Sequence, residues 1–238
     1  MRGMHSRVFL CVLGLLILAF VSSTDAQTKH PWGFGSFAGY TLPVWGTGER
    51  FSGTQQVGGT LQYQYSSRMM MEIEYQHVFF KDGKEAKQPF IWPLDSKQYY
   101  SPLAVSQIRF NTGLFNLLVS LKGGGFEKKS LVYLTVGTGV YSYKAERRNF
   151  IFPGQTTLPL NTSLYILPQV DERATLGINA GMGGQVFVGK SVALDLRARY
   201  HIVMGELRPM SAWGFDNQTL PLQFIELGAG LKFYIHKS

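Results

Sequence analysis

Between positions 192 and 202 the chain alternates without a break: Val192, Leu194, Leu196, Ala198, Tyr200 and Ile202 are separated by Ala193, Asp195, Arg197, Arg199 and His201. Apolar residues at every second position give a strand one apolar and one polar face, whereas a helix needs them three and four apart. The same period runs through the last segment, where Ile225, Leu227, Ala229, Leu231, Phe233 and Ile235 oppose Phe224, Glu226, Gly228, Gly230, Lys232 and Tyr234. It recurs over 131–143 and 175–188, and less cleanly over 34–44, 54–65, 70–81 and 106–121. In the last of these the apolar set changes parity, from Ile108, Phe110 and Leu114 to Phe115, Leu117, Val119 and Leu121. One extra residue shifts a strand in that way, so a β-bulge is predicted near Leu114 to Asn116.

Eight such segments, joined alternately by short and long connections, describe an all-β, up-and-down antiparallel barrel with every long loop at one end. The glycines decide which face is wet. Gly35, Gly39, Gly58, Gly113, Gly137, Gly139, Gly177, Gly181, Gly183, Gly228 and Gly230 fall on the polar faces, beside carboxylates, guanidinium groups and amides. On a solvated surface they would only weaken the strands, but inside a narrow barrel they make room for long charged neighbours. The polar face is therefore expected to line the lumen and the apolar face to meet lipid, the arrangement of a transmembrane β-barrel. Glu72, Glu74, Asp195 and Glu226 share that face with Arg109, Arg197, Arg199 and Lys232. Charges withdrawn from water must pair, so these eight are expected to form a lumen ion-pair network.

The N-terminus supplies the compartment. Arg2 and Arg7 precede an apolar run from Val8 to Val21, and small residues follow up to Ala26. The run would rise only about 21 Å as a helix, short of a bilayer core, and matches a secretory signal peptide. The expected organisation is a cleaved signal over 1–26 and a barrel domain over 27–238. Cys11, the one cysteine, would leave with the signal. A mean hydropathy of −0.01 hides the membrane character, because alternating apolar and polar residues cancel.

Signal peptide, eight alternating strands, three short turns, four longer loops and the stretch from Gly181 to Tyr200 resemble the OmpA/OmpX-like outer-membrane β-barrel family. That resemblance implies insertion into a Gram-negative outer membrane, with long loops extracellular and both termini periplasmic. Such barrels usually end on an aromatic residue, whereas Ile235, His236, Lys237 and Ser238 follow Phe233 and Tyr234 here.

Other motifs point to less. Gly184 to Ser191 matches the phosphate-binding loop pattern, but strand-like sequence flanks it where a helix is required, so it reads as a hairpin turn. His30, His77, His201 and His236 show no metal-ligand spacing, and no metal or cofactor is expected. His77 falls on the apolar face, and His201 reaches Glu72 or Glu226 only if the register allows it. Lys81, Lys84, Lys87, Lys144, Arg147 and Arg148 gather near the long-loop rim, where they are expected to pair with lipopolysaccharide phosphates. The compartment excludes nucleic acid as the target of the formal charge of +8. Asn161 and Asn217 begin glycosylation patterns with no evident use in a bacterial envelope. The connections 82–105 and 148–172 are rich in aromatic and aliphatic residues, which fits either loops packed on one another or an extracellular protein contact. The expected function is that of a monomeric structural or surface-interaction barrel without enzymatic activity. The alternatives are a narrow OmpW-like channel for small or hydrophobic solutes and a lipid A-modifying enzyme.

Overall fold

A computed structural model describes residues 32–81, 83–84, 89–91, 95–101, 103–121, 130–151, 159, 161, 163–165, 167–188, 191–207 and 219–235. The expected signal segment 1–26, Lys87, Asn217, His30 and His236 lie outside these residues. Ten strands occur among the described residues: β1 (Trp32–Pro43), β2 (Thr54–Gln64), β3 (Met69–Phe80), β4 (Phe90–Ile91), β5 (Gln98–Tyr99), β6 (Val105–Ser120), β7 (Ser130–Arg148), β8 (Gln169–Phe187), β9 (Val192–Val203) and β10 (Leu222–Ile235). A short helix, α1 (Trp45–Arg50), follows β1. Eight strands close into an antiparallel barrel in the order β1-β10-β9-β8-β7-β6-β3-β2, while β4 and β5 form a small hairpin within the connection from β3 to β6. Closure by β1 against β10, from Trp32 opposite Ile235 to Pro43 opposite Phe224, removes both sheet edges.

The alternating pattern divides inside from outside as expected. On β9, Leu196 is 64% exposed while Arg199, three residues on, is 2% exposed. Outward residues form an apolar belt bounded at the short-turn end by aromatic contacts, with Trp32 against Tyr63 at 4.8 Å and Phe34 stacked on Phe233 at 5.5 Å. The residues Gly184 to Phe187 end β8 and Val192 begins β9, which makes the apparent phosphate-binding motif a hairpin, its ends joined from the Val188 amide to the Val192 carbonyl.

The predicted bulge is absent from β6. Between β3 and β6 the register steps evenly from Met69 opposite Val119 to Phe80 opposite Ile108, and between β6 and β7 from Val105 opposite Arg148 to Ser120 opposite Tyr133. The parity of the apolar set changes because the lumen itself changes character. Towards the long-loop end the inward residues are apolar: Ile108, Phe110 and Leu114 pack with Phe80, Tyr141, Tyr143 and Phe224, and Phe51 folds over them from the loop after α1. Strands β6, β7 and β8 are also longer than the rest, with 16, 19 and 19 residues against 11 in β2. They stand above the belt as a one-sided wall.

Candidate functional site

The lumen has three layers. Nearest the long loops is the aromatic plug, in which Phe110 lies 5.7 Å from both Tyr143 and Phe224 and meets Phe80 edge-on at 6.2 Å. Nearest the short turns is a smaller apolar layer of Met70, Leu118, Leu131, Tyr133, Ala193 and Tyr234. Between them sits the charged layer.

Seven of the eight expected network residues meet there. Arg199 Nη2 donates to Glu74 Oε1 at 2.5 Å and to Glu226 Oε1 at 2.8 Å. Arg197 Nη1 donates to Glu74 Oε2 at 2.8 Å, and its guanidinium lies 3.5 Å from the Phe37 ring centroid. Lys232 Nζ bridges Glu72 at 3.1 Å and Asp195 at 3.3 Å. Neutral donors add to the shell, with Gln62 on Glu72 at 2.6 Å and the Tyr133 hydroxyl on Asp195 at 2.8 Å. The strands explain the convergence: β3 supplies Glu72 and Glu74, β9 supplies Asp195, Arg197 and Arg199, and β10 supplies Glu226 and Lys232, each at every second position of an inward face.

Glycine makes the room. A Cβ on Gly183 would lie 2.3 Å from the Tyr133 hydroxyl oxygen, and one on Gly137 would lie 2.0 Å from Asn116 Oδ1. Either would displace a side chain from the layer.

Arg109 does not join the network. Without a bulge its side chain points outward, where its guanidinium lies 5.1 Å from the Phe79 ring. Gly113 likewise faces outward. The fourth basic partner in the lumen is His201, whose Nε2 is 3.0 Å from Glu226 Oε2 and whose Nδ1 is 2.8 Å from the Tyr141 hydroxyl. Its ring stacks on Phe224 at 4.7 Å, so it joins the charged layer to the aromatic plug. Parity with Arg197 and Arg199 marks His201 as inward, whereas nothing in the sequence signals the Tyr141 contact.

The expected basic rim also separates. Arg147 is 5% exposed and points inward on β7, with Nη1 donating to Gln169 at 3.2 Å. Lys84 donates to the Gly48 carbonyl at 2.6 Å. Lys81, Lys144 and Arg148 remain exposed, Lys144 beside Glu172 at 3.3 Å and Arg148 beside Glu146 at 3.6 Å. His77 faces outward as expected and shares Asn111 Oδ1, at 2.7 Å, with the Tyr75 hydroxyl at 3.1 Å.

No protein-family profile and no curated protein sequence matches the chain. Solved structures do. The outer membrane protein OprG from Pseudomonas aeruginosa is similar with a TM-score of 0.51 and 13% identity, over 89% of this chain and 100% of that one. Neisserial surface protein A is similar with a TM-score of 0.50 and 10% identity, over 86% of this chain and 97% of that one. A major outer membrane protein from Thermus thermophilus has a TM-score of 0.50 and 10% identity, over 87% of this chain and 100% of that one. At these identities the likeness is one of fold: the chain is a closed eight-stranded barrel of the outer-membrane type.

Proposed function

We propose that this chain, once its signal segment 1–26 is removed, resides in a bacterial outer membrane as a monomeric, non-conducting barrel with structural and surface-interaction roles. Its long loops face outward from the cell and its termini face the periplasm. The observation that carries this reading is the layered lumen, with a salt-bridged middle sealed on each side by packed aromatic and aliphatic side chains. Two packed layers across the lumen, among the described residues, support a barrel that does not conduct. The outward apolar belt supports a lipid environment, because large exposed apolar surface on a closed sheet is what a bilayer requires. Exposed Ile91, Tyr100, Leu103, Leu164, Tyr165 and Leu167 at the long-loop end support contact with an external protein partner.

Planar-bilayer recording tests the sealed lumen. The expected result is no steady conductance. A stable current that changes with Glu72→Ala or Arg197→Ala would replace this reading with that of a narrow channel. Turnover of labelled lipid A by the purified protein would overturn the non-enzymatic assignment. His201, Tyr141 and Glu226 do form a hydrogen-bonded chain, but all three are buried beneath Phe110 and Phe224, which supports a role in packing.

A further inference from the structure

The outer wall of β3, β6 and β7 breaks the apolar belt in an ordered way. At its upper margin Asn111, opposite Ser142, gathers His77 and Tyr75 on a face that is mostly apolar further down. Directly above, Phe79, Arg109 and Lys144 are successive cross-strand neighbours, and with Gln107 and Glu146 they line a pocket of about 200 Å³. Two cations converge on the Phe79 ring, Arg109 at 5.1 Å and Lys81 at 5.8 Å, and among the described residues neither forms an ion pair. The acid in the pocket is already engaged: Glu146 accepts from Gln107 at 2.8 Å and lies 3.6 Å from Arg148. Lys144 has an exposed pairing with Glu172, the kind that exchanges readily for another anion.

Below this pocket, on the same face, Phe115, Leu117, Val136, Ile178, Ala180 and Ile202 line an apolar groove of about 330 Å³. From Arg109 to Phe115 is about 20 Å along β6. Between them the surface is polar at Asn111 and open at Gly113, where an added Cβ would meet nothing within 4 Å. A basic pocket at the polar margin, an open track and an apolar groove in the belt together complement one kind of molecule, an anionic headgroup carrying an acyl chain.

We propose that this wall is a binding site for a phosphorylated glycolipid of the outer leaflet, with a lipid A phosphate held by Lys81, Arg109 and Lys144 and one acyl chain lying over Gly113 into the groove. The inference rests on the reading that the long-loop end faces outward, since that orientation sets the basic pocket at the level of the outer headgroups. Arg147 and Lys84 take no part, because one points into the barrel and the other is tied to Gly48.

Native mass spectrometry of the protein purified in detergent, titrated with diphosphoryl lipid A, tests the site. One retained lipid per barrel is expected, weakened at least tenfold by Arg109→Gln with Lys144→Gln and several-fold by Gly113→Trp, which obstructs the track without touching the cations. Phosphatidylglycerol is expected to bind at least tenfold more weakly. Affinity unchanged in Arg109→Gln with Lys144→Gln would overturn the proposal, and so would equal affinity for phosphatidylglycerol, which denotes a general anionic collar. Indifference to Gly113→Trp would remove the acyl-chain track and with it the two-part site. Labelling of Asp95→Cys on intact cells by an impermeant thiol reagent separates the two levels. Failure to label overturns the orientation, whereas labelling without lipid A binding overturns only this inference.

Discussion

Arg199 offers the most direct test of the layered lumen. Its guanidinium is buried and donates to both Glu74 and Glu226, so Arg199→Met keeps much of the stem volume while deleting the charge they share. Neither carboxylate is stranded entirely, because Glu74 keeps Arg197 at 2.8 Å and Glu226 keeps His201 at 3.0 Å. The charge-assisted interactions with two carboxylates, the one to Glu226 forked over both oxygens, are nevertheless lost, each worth about 1.5–3 kcal/mol. Removing one member of a buried ion pair costs about 3–5 kcal/mol, because the remaining charge stays buried. The two routes agree on an expected loss of about 3–5 kcal/mol, measured by urea unfolding in lipid vesicles with tryptophan fluorescence and the gel shift between folded and boiled protein. Adding Glu226→Gln removes the surplus negative charge and is expected to recover a sizeable part of the loss. A loss below about 1 kcal/mol, the range of solvated pairs, would mean that water screens the network and that the lumen is not sealed. Strict additivity of the two substitutions would refute the coupling.

Phe110→Ala is expected to cost about 3–5 kcal/mol in the same unfolding assay, since the ring is wholly buried among Phe80, Tyr143 and Phe224. Gly183→Ala, with its methyl 2.3 Å from the Tyr133 hydroxyl oxygen, is expected to cost about 1–3 kcal/mol, whereas Gly113→Ala, facing open space, leaves stability unchanged. Outside the membrane belt, the Tyr99 hydroxyl and then the Lys97 amide hold the Asp95 carboxyl below the ordinary carboxylate range. The carboxylate form is the one these bonds favour, so their contribution to the β4–β5 hairpin is present above the ordinary carboxylate pKa and fades as pH falls through the lowered value. A carboxyl NMR titration should show that lowered midpoint, with Tyr99→Phe raising it; an unaltered midpoint in the variant would refute the assignment.

Period two made most of this barrel readable, because inside and outside demand opposite chemistry at adjacent positions. The reading failed where that rule stops holding. On β6, Ile108, Phe110 and Leu114 are apolar yet inward, since the mouth of the lumen is filled with rings in place of charges. A bulge at that switch would turn both Arg109 and Gly113 inward, whereas the even register turns both outward. The upper parts of β7 and β8 escape the alternating pattern for a related reason. Lys144 to Arg148 looks like a charged loop, but above the belt both faces of a strand can be polar, and pairing with β6 and β8 continues to Arg148 and Arg147. Chain position alone made Arg147 a rim residue, whereas its parity with Tyr143 and Ala145 turns it inward. The partners of Phe79 and Tyr141 were out of reach because they depend on cross-strand register, which one strand's pattern does not contain.

The charged layer also works as a latch. The bonds that reach its β3 carboxylates from β9 and β10 join positions 123, 125 and 160 residues apart. The β9–β10 hairpin can pair Arg199 with Glu226 and Lys232 with Asp195 by itself, but Glu72 and Glu74 of β3 meet these cations only when the barrel brings β3 across from β9 and β10. Desolvation of the β3 carboxylates and their pairing are thereby tied to ring closure, the longest-range contacts of the fold. Reopening meets the same obstacle in reverse, since the cations share carboxylates and cannot be released singly. A barrel built in this way owes its persistence in the membrane to the height of that exit barrier as well as to the depth of its free-energy minimum.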